Sequence, residues 1–115
     1  MIKKLSDLKV TVNQNMRGGD GSIIIKHIAN KAELYDKGRL YAHITIKPGC
    51  SIGFHIHENE VEVYHMVSGT AIYDDNGTQT ELSPGDTTIT PAGQGHSIAN
   101  KGNEDVELIA LIILQ

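Results

Sequence analysis

The sequence predicts an all-β protein, a sandwich or barrel of short antiparallel strands. Three observations carry this expectation. Runs of β-branched and apolar residues recur at short intervals, glycine- and proline-containing turns separate them, and no stretch shows the 3.6-residue period of a long amphipathic helix. A chain of 115 residues suits a single domain, 1–115, and can bury a core without disulfide staples.

The elements follow in order. Ser22 to Ile28 is rich in β-branched residues and reads as a strand, preceded by a loop over Asn13 to Gly21. Asn30 to Asp36 is the one helix candidate, of one or two turns. Leu40 to Ile46 alternates, with Leu40, Ala42, Ile44 and Ile46 on one face and Tyr41, His43 and Thr45 on the other, until Pro48-Gly49 ends it. Val61 to Val67 is a strand closed by Ser68-Gly69. Thr70 to Tyr73 and Gln79 to Leu82 flank Asp74-Asp75-Asn76-Gly77, and Asn-Gly is the strongest short hairpin signal. Thr87 to Thr90, a short Ser97 to Ala99 and the most apolar run, Val106 to Leu114, complete the set. The N-terminal residues, 1 to about 28, are expected on the outside of the barrel or against a second subunit.

The bulk properties exclude several classes. A net charge of -4 with no clustered Lys and Arg argues against a nucleic-acid surface. No apolar run approaches the roughly 20 residues of a membrane helix. Asp7 and Lys9 interrupt the apolar N-terminus at once, so no secretory signal is expected. Cys50 is the only cysteine, which rules out an internal disulfide and suits a reducing compartment. These readings lead to an expected cytoplasmic protein, without membrane or nucleic-acid partners.

The chemistry is concentrated between Gly49 and Asn100. A first motif, residues 49–69, runs Gly49, His55-Ile56-His57, Glu62, Gly69. A second, residues 85–100, runs Gly85, Pro91-Ala92-Gly93, His96, Asn100. Residues i and i+2 of a strand share a side, so His55 and His57 present two imidazoles in one direction. Alone, that dipeptide is most often two ordinary strand histidines. Joined to Glu62 and His96 it makes three imidazole nitrogens and a carboxylate, a donor set suited to Mn, Fe, Ni, Cu or Zn. Glu60 shares parity with Glu62 and is the alternative carboxylate.

Both motifs match in full those of the cupins, and the chain resembles the small single-domain members of that family. The resemblance implies a jelly-roll barrel (double-stranded β-helix) of two antiparallel sheets. It carries one divalent metal per chain onto His55, His57, Glu62 and His96. It also places Ala42, Ile44, Leu108, Ala110 and Ile112 around a small-molecule substrate, with Tyr64 and Met66 pointing into the barrel. Tyr64 is the candidate acid/base; His65, His43 and His27 are not expected as ligands. Because the expected lining is apolar, a dicarboxylate or phosphorylated sugar finds no clamp there and a weakly polar substrate fits better. The functional expectation is a metal-dependent enzyme of the oxygenase (dioxygenase) type. The alternatives are a non-enzymatic ligand-binding or sensing module and, less favoured, an isomerase or epimerase. Exposed strand edges in so small a barrel favour a homodimer.

Overall fold

A computed structural model describes residues 1–115. Ten strands form two antiparallel sheets: β1 (Val10–Gln14), β2 (Ser22–Ala29), β3 (Gly38–Ile46), β4 (Ser51–Ile56), β5 (Glu60–Ser68), β6 (Ala71–Asp75), β7 (Thr78–Leu82), β8 (Thr87–Thr90), β9 (Gly95–Ala99) and β10 (Val106–Leu114). One sheet has the order β1-β2-β3-β10-β5-β8 and the other β4-β9-β6-β7. They pack as a jelly roll with a shared apolar core. The larger sheet supplies Ile23, Ile25, Ile44, Ile46, Met66, Val106 and Leu108, and the smaller supplies Ile52, Ala71, Tyr73 and Ile98.

Local sequence explains the joints. The β6–β7 hairpin turns on Asn76-Gly77, both with positive φ (50° and 105°), which matches the twist that two-residue hairpins require. Asp74 Oδ1 accepts from the Gly77 N–H at 2.6 Å and closes the turn. Asn100, fully buried, donates its side-chain amide to the Ile46 carbonyl at 2.8 Å, tying the end of β9 to the end of β3.

Three expectations are corrected. Asn30 to Asp36 is not a helix: Asn30 and Glu33 cap one another reciprocally, as at a helix start, but Tyr35 and Asp36 take left-handed φ of 54° and 59° and stop propagation after one turn. The expected loop over Asn13 to Gly21 begins late, because Asn13 and Gln14 belong to β1. The first 28 residues lie only partly outside. Strand β2 sits between β1 and β3 with Ile23 and Ile25 in the core, whereas β1 is the edge strand and has no buried residue.

Candidate metal centre

His55 lies near the end of β4, directly across from His96 on β9. His57 falls one residue beyond β4. Its backbone is pinned by the turn after Pro91: the His57 N–H donates to Gln94 O at 3.0 Å, and the Gly93 N–H donates to His57 O at 2.7 Å. Glu62 projects from β5, opposite Thr90 and Ile112. Two sheets and one connection therefore deliver four side chains to a single point, where their donor atoms lie within 4.8 Å of one another. His57, Glu62 and His96 are buried.

Every ring is oriented by a partner at Nδ1. His55 Nδ1 lies 2.8 Å from the Gly53 carbonyl oxygen, which only accepts, so Nδ1 carries the proton and Nε2 offers its lone pair. His57 Nδ1 lies 2.6 Å from Glu60 Oε2. His96 Nδ1 lies 2.7 Å from the Tyr73 hydroxyl and 3.0 Å from Thr90 Oγ1. All three Nε2 atoms thus face inward.

The separations test the fit to a metal. With bonds of about 2.1 Å, donors at right angles stand about 3.0 Å apart, donors at a tetrahedral angle about 3.4 Å, and opposed donors about 4.2 Å. Glu62 Oε1 is 2.9 Å from both His57 Nε2 and His96 Nε2. His96 Nε2 is 3.1 Å from His57 Nε2 and 3.2 Å from His55 Nε2. His55 Nε2 and Glu62 Oε1 stand 4.0 Å apart. These five separations, 2.9–4.0 Å, fall in the range that two ligands of one ion can span, so the four residues could hold one metal.

The electrostatics agree. Burial pushes the Glu62 carboxyl up, but contacts with His55, His57 and His96 outweigh it and hold the group well below the usual carboxylate range. Glu62, then Glu60, raises His57 against its burial. Burial lowers His96 more than Glu62 raises it. Glu60 is not one of the converging donors. The Arg39 guanidinium grips it through Nε and Nη2, each at 2.7 Å, and with help from His57 holds its carboxyl down to about 2.

Tyr64 stacks on His96 with ring centroids 4.9 Å apart and 23° between planes. Burial, then the Glu62 charge, lifts its hydroxyl well above the ordinary tyrosine value, so it stays protonated. His43 faces outward, 3.4 Å from Glu107, and His65 bonds Thr87 on the surface. Neither approaches the cluster. Sequence reasoning missed Tyr73, Thr90, Arg39 and the buttressing role of Glu60. An i,i+3 His57–Glu60 pair was the one local signal available.

Above the cluster opens a cavity of about 390 Å³, bounded by His55, His57, Glu62 and Tyr64. Ile44 and Ile112 line it. Ala42, Met66, Leu108 and Ala110 do not: they are at most 1% exposed and lie in the core. Ala42 and Ala110 face each other across β3 and β10 with methyls too short to reach the wall, and the Leu108–Met66 pair sits further along the strands from Glu62. The expected absence of charge is also overturned. Lys9 and Arg17 line the cavity because β1 and the turn Met16–Gly18 fold over its mouth, and Arg39 joins them from β3.

The family model of the cupin domain matches residues 42–112. The chain belongs to the cupin family. This cupin is 39% identical over 114 residues to an oxalate-binding protein of Thermotoga maritima, covering 99% of the chain and 94% of that relative. A solved structure from T. maritima, described as a predicted oxalate decarboxylase, superposes with a TM-score of 0.95 at 38% identity over all of both chains. A mannose-1-phosphate guanylyltransferase of Klebsiella pneumoniae is 31% identical over 68 residues, 59% of this cupin and 14% of that enzyme. No helix of the cupin is long and apolar enough to cross a membrane.

Proposed function

We propose that this cupin holds one divalent transition metal on His55, His57, Glu62 and His96 and binds a small bidentate organic acid there, with oxalate as the prototype. The observation that carries the reading is the convergence of three imidazole nitrogens and one carboxylate on a single point below an open cavity; an ion that takes six ligands would keep two positions there for a chelating ligand. Mn, Fe and Ni accept that coordination more readily than Zn, which favours four ligands. The bound metal supplies Lewis-acid positions for carboxylate oxygens.

The chain's own residues do the rest. Gly53 O and Glu60 hold His55 and His57 in the metal-binding tautomer, and the Tyr73 and Thr90 hydroxyls orient His96. Ile25, Leu40, Ile44 and Ile112 supply apolar walls that keep water from competing. Tyr64 presents a neutral hydroxyl to the bound acid. Lys9, Arg17 and Arg39 set a positive field over the mouth, so a carboxylate ligand replaces the weakly polar one expected from sequence. The oxalate-binding relative supports the same assignment.

The test is calorimetric. Protein stripped by chelator is reloaded with Mn(II), Ni(II) or Zn(II), and oxalate is titrated into the metal-free and loaded forms. One metal per chain and oxalate binding only to loaded protein are expected. Failure to take up metal, or equal oxalate binding without it, overturns the reading.

Oxygenase chemistry is the second reading, favoured by Tyr64 on the cavity wall beside the four donors. Oxygen uptake by loaded protein with a panel of diketones, catechols and thiols separates a catalyst from a binding module.

A further inference from the structure

Strand β1 carries its polar residues on the inward side. Its register sets Thr11 against Ile25 and Asn13 against Ile23, both core residues, so Lys9, Thr11 and Asn13 share the inward face. Val10 and Val12 stand in solvent, 51% and 62% exposed. A half-buried strand normally has the opposite arrangement, with apolar residues in and polar residues out. Here the inward face looks onto the cavity, and Lys9, Thr11 and Asn13 all line it.

Arg17 reaches the same cavity from a turn built to hold it. It takes left-handed φ and ψ of 55° and 30°, a region that non-glycine residues enter at a cost and that clusters at functional sites. The turn is closed by Gly18 N–H to Asn15 O at 3.0 Å and Gly19 N–H to Met16 O at 2.9 Å. It is then pressed onto β4: a Cβ added at Gly53 would collide with the Arg17 carbonyl oxygen, and one at Gly19 with that of Ser51. Two glycines thus permit the contact that fixes the position of Arg17.

The cavity's three cations are not equivalent. Arg39 is committed to Glu60 by two 2.7 Å hydrogen bonds. Lys9 and Arg17 have no such acidic partner, although both line a concave site. His27, bonded to Thr11 at 3.0 Å, is held below its ordinary value by burial and then by Lys9, and adds no charge at neutral pH. The volume of about 390 Å³ lies within the roughly 300–1,000 Å³ of pockets that enclose drug-sized ligands, so a two-carbon diacid occupies only part of it.

We infer that the ligand carries a second carboxylate beyond its metal-chelating end, and that Arg17 together with Lys9 holds it. The ligand class is a 2-oxo or 2-hydroxy dicarboxylic acid longer than oxalate. One end chelates the metal through its carboxylate and the adjacent oxygen; the far carboxylate takes Arg17. This inference rests on the metal-and-chelator reading above and adds the identity of the distal group.

The experiment compares oxalate, 2-oxopentanoate and 2-oxoglutarate by calorimetry on Mn(II)-loaded protein. The last two have the same carbon chain and differ in the distal carboxylate. Charge-assisted hydrogen bonds to that group predict that 2-oxoglutarate binds about tenfold or more tightly than 2-oxopentanoate. Arg17→Gln and Lys9→Gln should each shrink that ratio several-fold, weakening 2-oxoglutarate more than 2-oxopentanoate, while Arg17→Lys should keep most of it. Melting curves confirm that each variant is folded. A wild-type ratio near one, or a ratio that neither Gln variant changes, overturns the inference. If oxalate still binds in that case, the metal-and-chelator reading survives. If none of the three acids binds loaded protein, both fall.

Discussion

Glu60 and Glu62 hold opposite ends of one imidazole: Glu60 Oε2 lies 2.6 Å from His57 Nδ1, and Glu62 Oε1 lies 2.9 Å from His57 Nε2. Two carboxylates of equal chemistry and equal strand parity have different work. Glu62 stands among the donors, whereas Glu60 orients the ring and is itself clamped by Arg39. Glu62→Gln should therefore weaken metal binding more than Glu60→Gln. The loss of an outer partner typically costs about 10–100-fold in affinity, and that range is expected for Glu60→Gln. Competition with a calibrated chelator measures both, and the reverse order would contradict the assignment.

His55→Ala, His57→Ala and His96→Ala should each remove most bound metal, and His43→Ala and His65→Ala should not. Metal content by mass spectrometry of the purified variants decides it. An empty His65→Ala protein beside a full His57→Ala protein would mean that the strand register is wrong.

Metal binding should weaken as pH falls, because imidazoles must be neutral to coordinate and an ordinary histidine titrates near about 6.5. His57 and His96 should not titrate together. His57, raised by Glu62 and Glu60, competes for protons first, above the ordinary value; burial delays His96 to lower pH. The plot of log affinity against pH should therefore begin with a slope near one proton and steepen below about pH 6 toward three. Affinity that is flat between roughly pH 5 and 7.5 would show that the histidines are not the ligands.

In metal-free protein the sign differs between groups. The depressed Glu60 carboxyl contributes stability that is present above the unfolded value of 4.5 and is lost as pH falls toward about 2. Raised His57 contributes below the unfolded 6.5 and loses that contribution as pH rises through its folded value. Denaturant midpoints of stripped protein should decline on the acid side below about 4.5, and Glu60→Gln should flatten that decline.

Gly53→Ala should destabilise the protein and disturb Arg17 together, since the added methyl meets the Arg17 carbonyl oxygen. Overpacking of this kind costs about 1–3 kcal/mol, and each kcal/mol lowers Tm by roughly 4–8 °C in a domain of this size. An unchanged Tm would show that the turn yields freely.

The homodimer expected from sequence is proposed to pair through the edge strand β1, where Val10 and Val12 are exposed. Sedimentation should show a species near twice 12.5 kDa that Val12→Lys shifts toward the single chain. Only single chains at high concentration would remove the proposal.

The donors were legible because they sit at fixed spacings inside two short motifs, and the resemblance of both motifs to the cupin pattern linked His55, His57 and Glu62 with the distant His96. The cavity was not legible, for a different reason. Placing Lys9 and Arg17 requires knowing that β1 pairs with β2 and that Gly53 lets a turn lie on β4, both long-range facts. β1 was not read as a strand at all, since its valines face water and its polar residues face in. In β3 and β10 the alternation was read correctly, but it could not show how far from Glu62 the wall ends, and Ala42, Met66, Leu108 and Ala110 were placed on it although they lie behind.

The donor set spans the seam of the sandwich. His55 and His96 belong to the four-stranded sheet, Glu62 to the six-stranded sheet, and His57 to the segment that crosses between them. An ion on these four atoms is a rivet between two sheets that no backbone ladder joins. On the proposed reading, metal at a thousandfold over its Kd adds about 4 kcal/mol to folding, comparable to the whole margin of a small domain. Supply of the ion would then govern how long the chain survives proteolysis as well as what it binds.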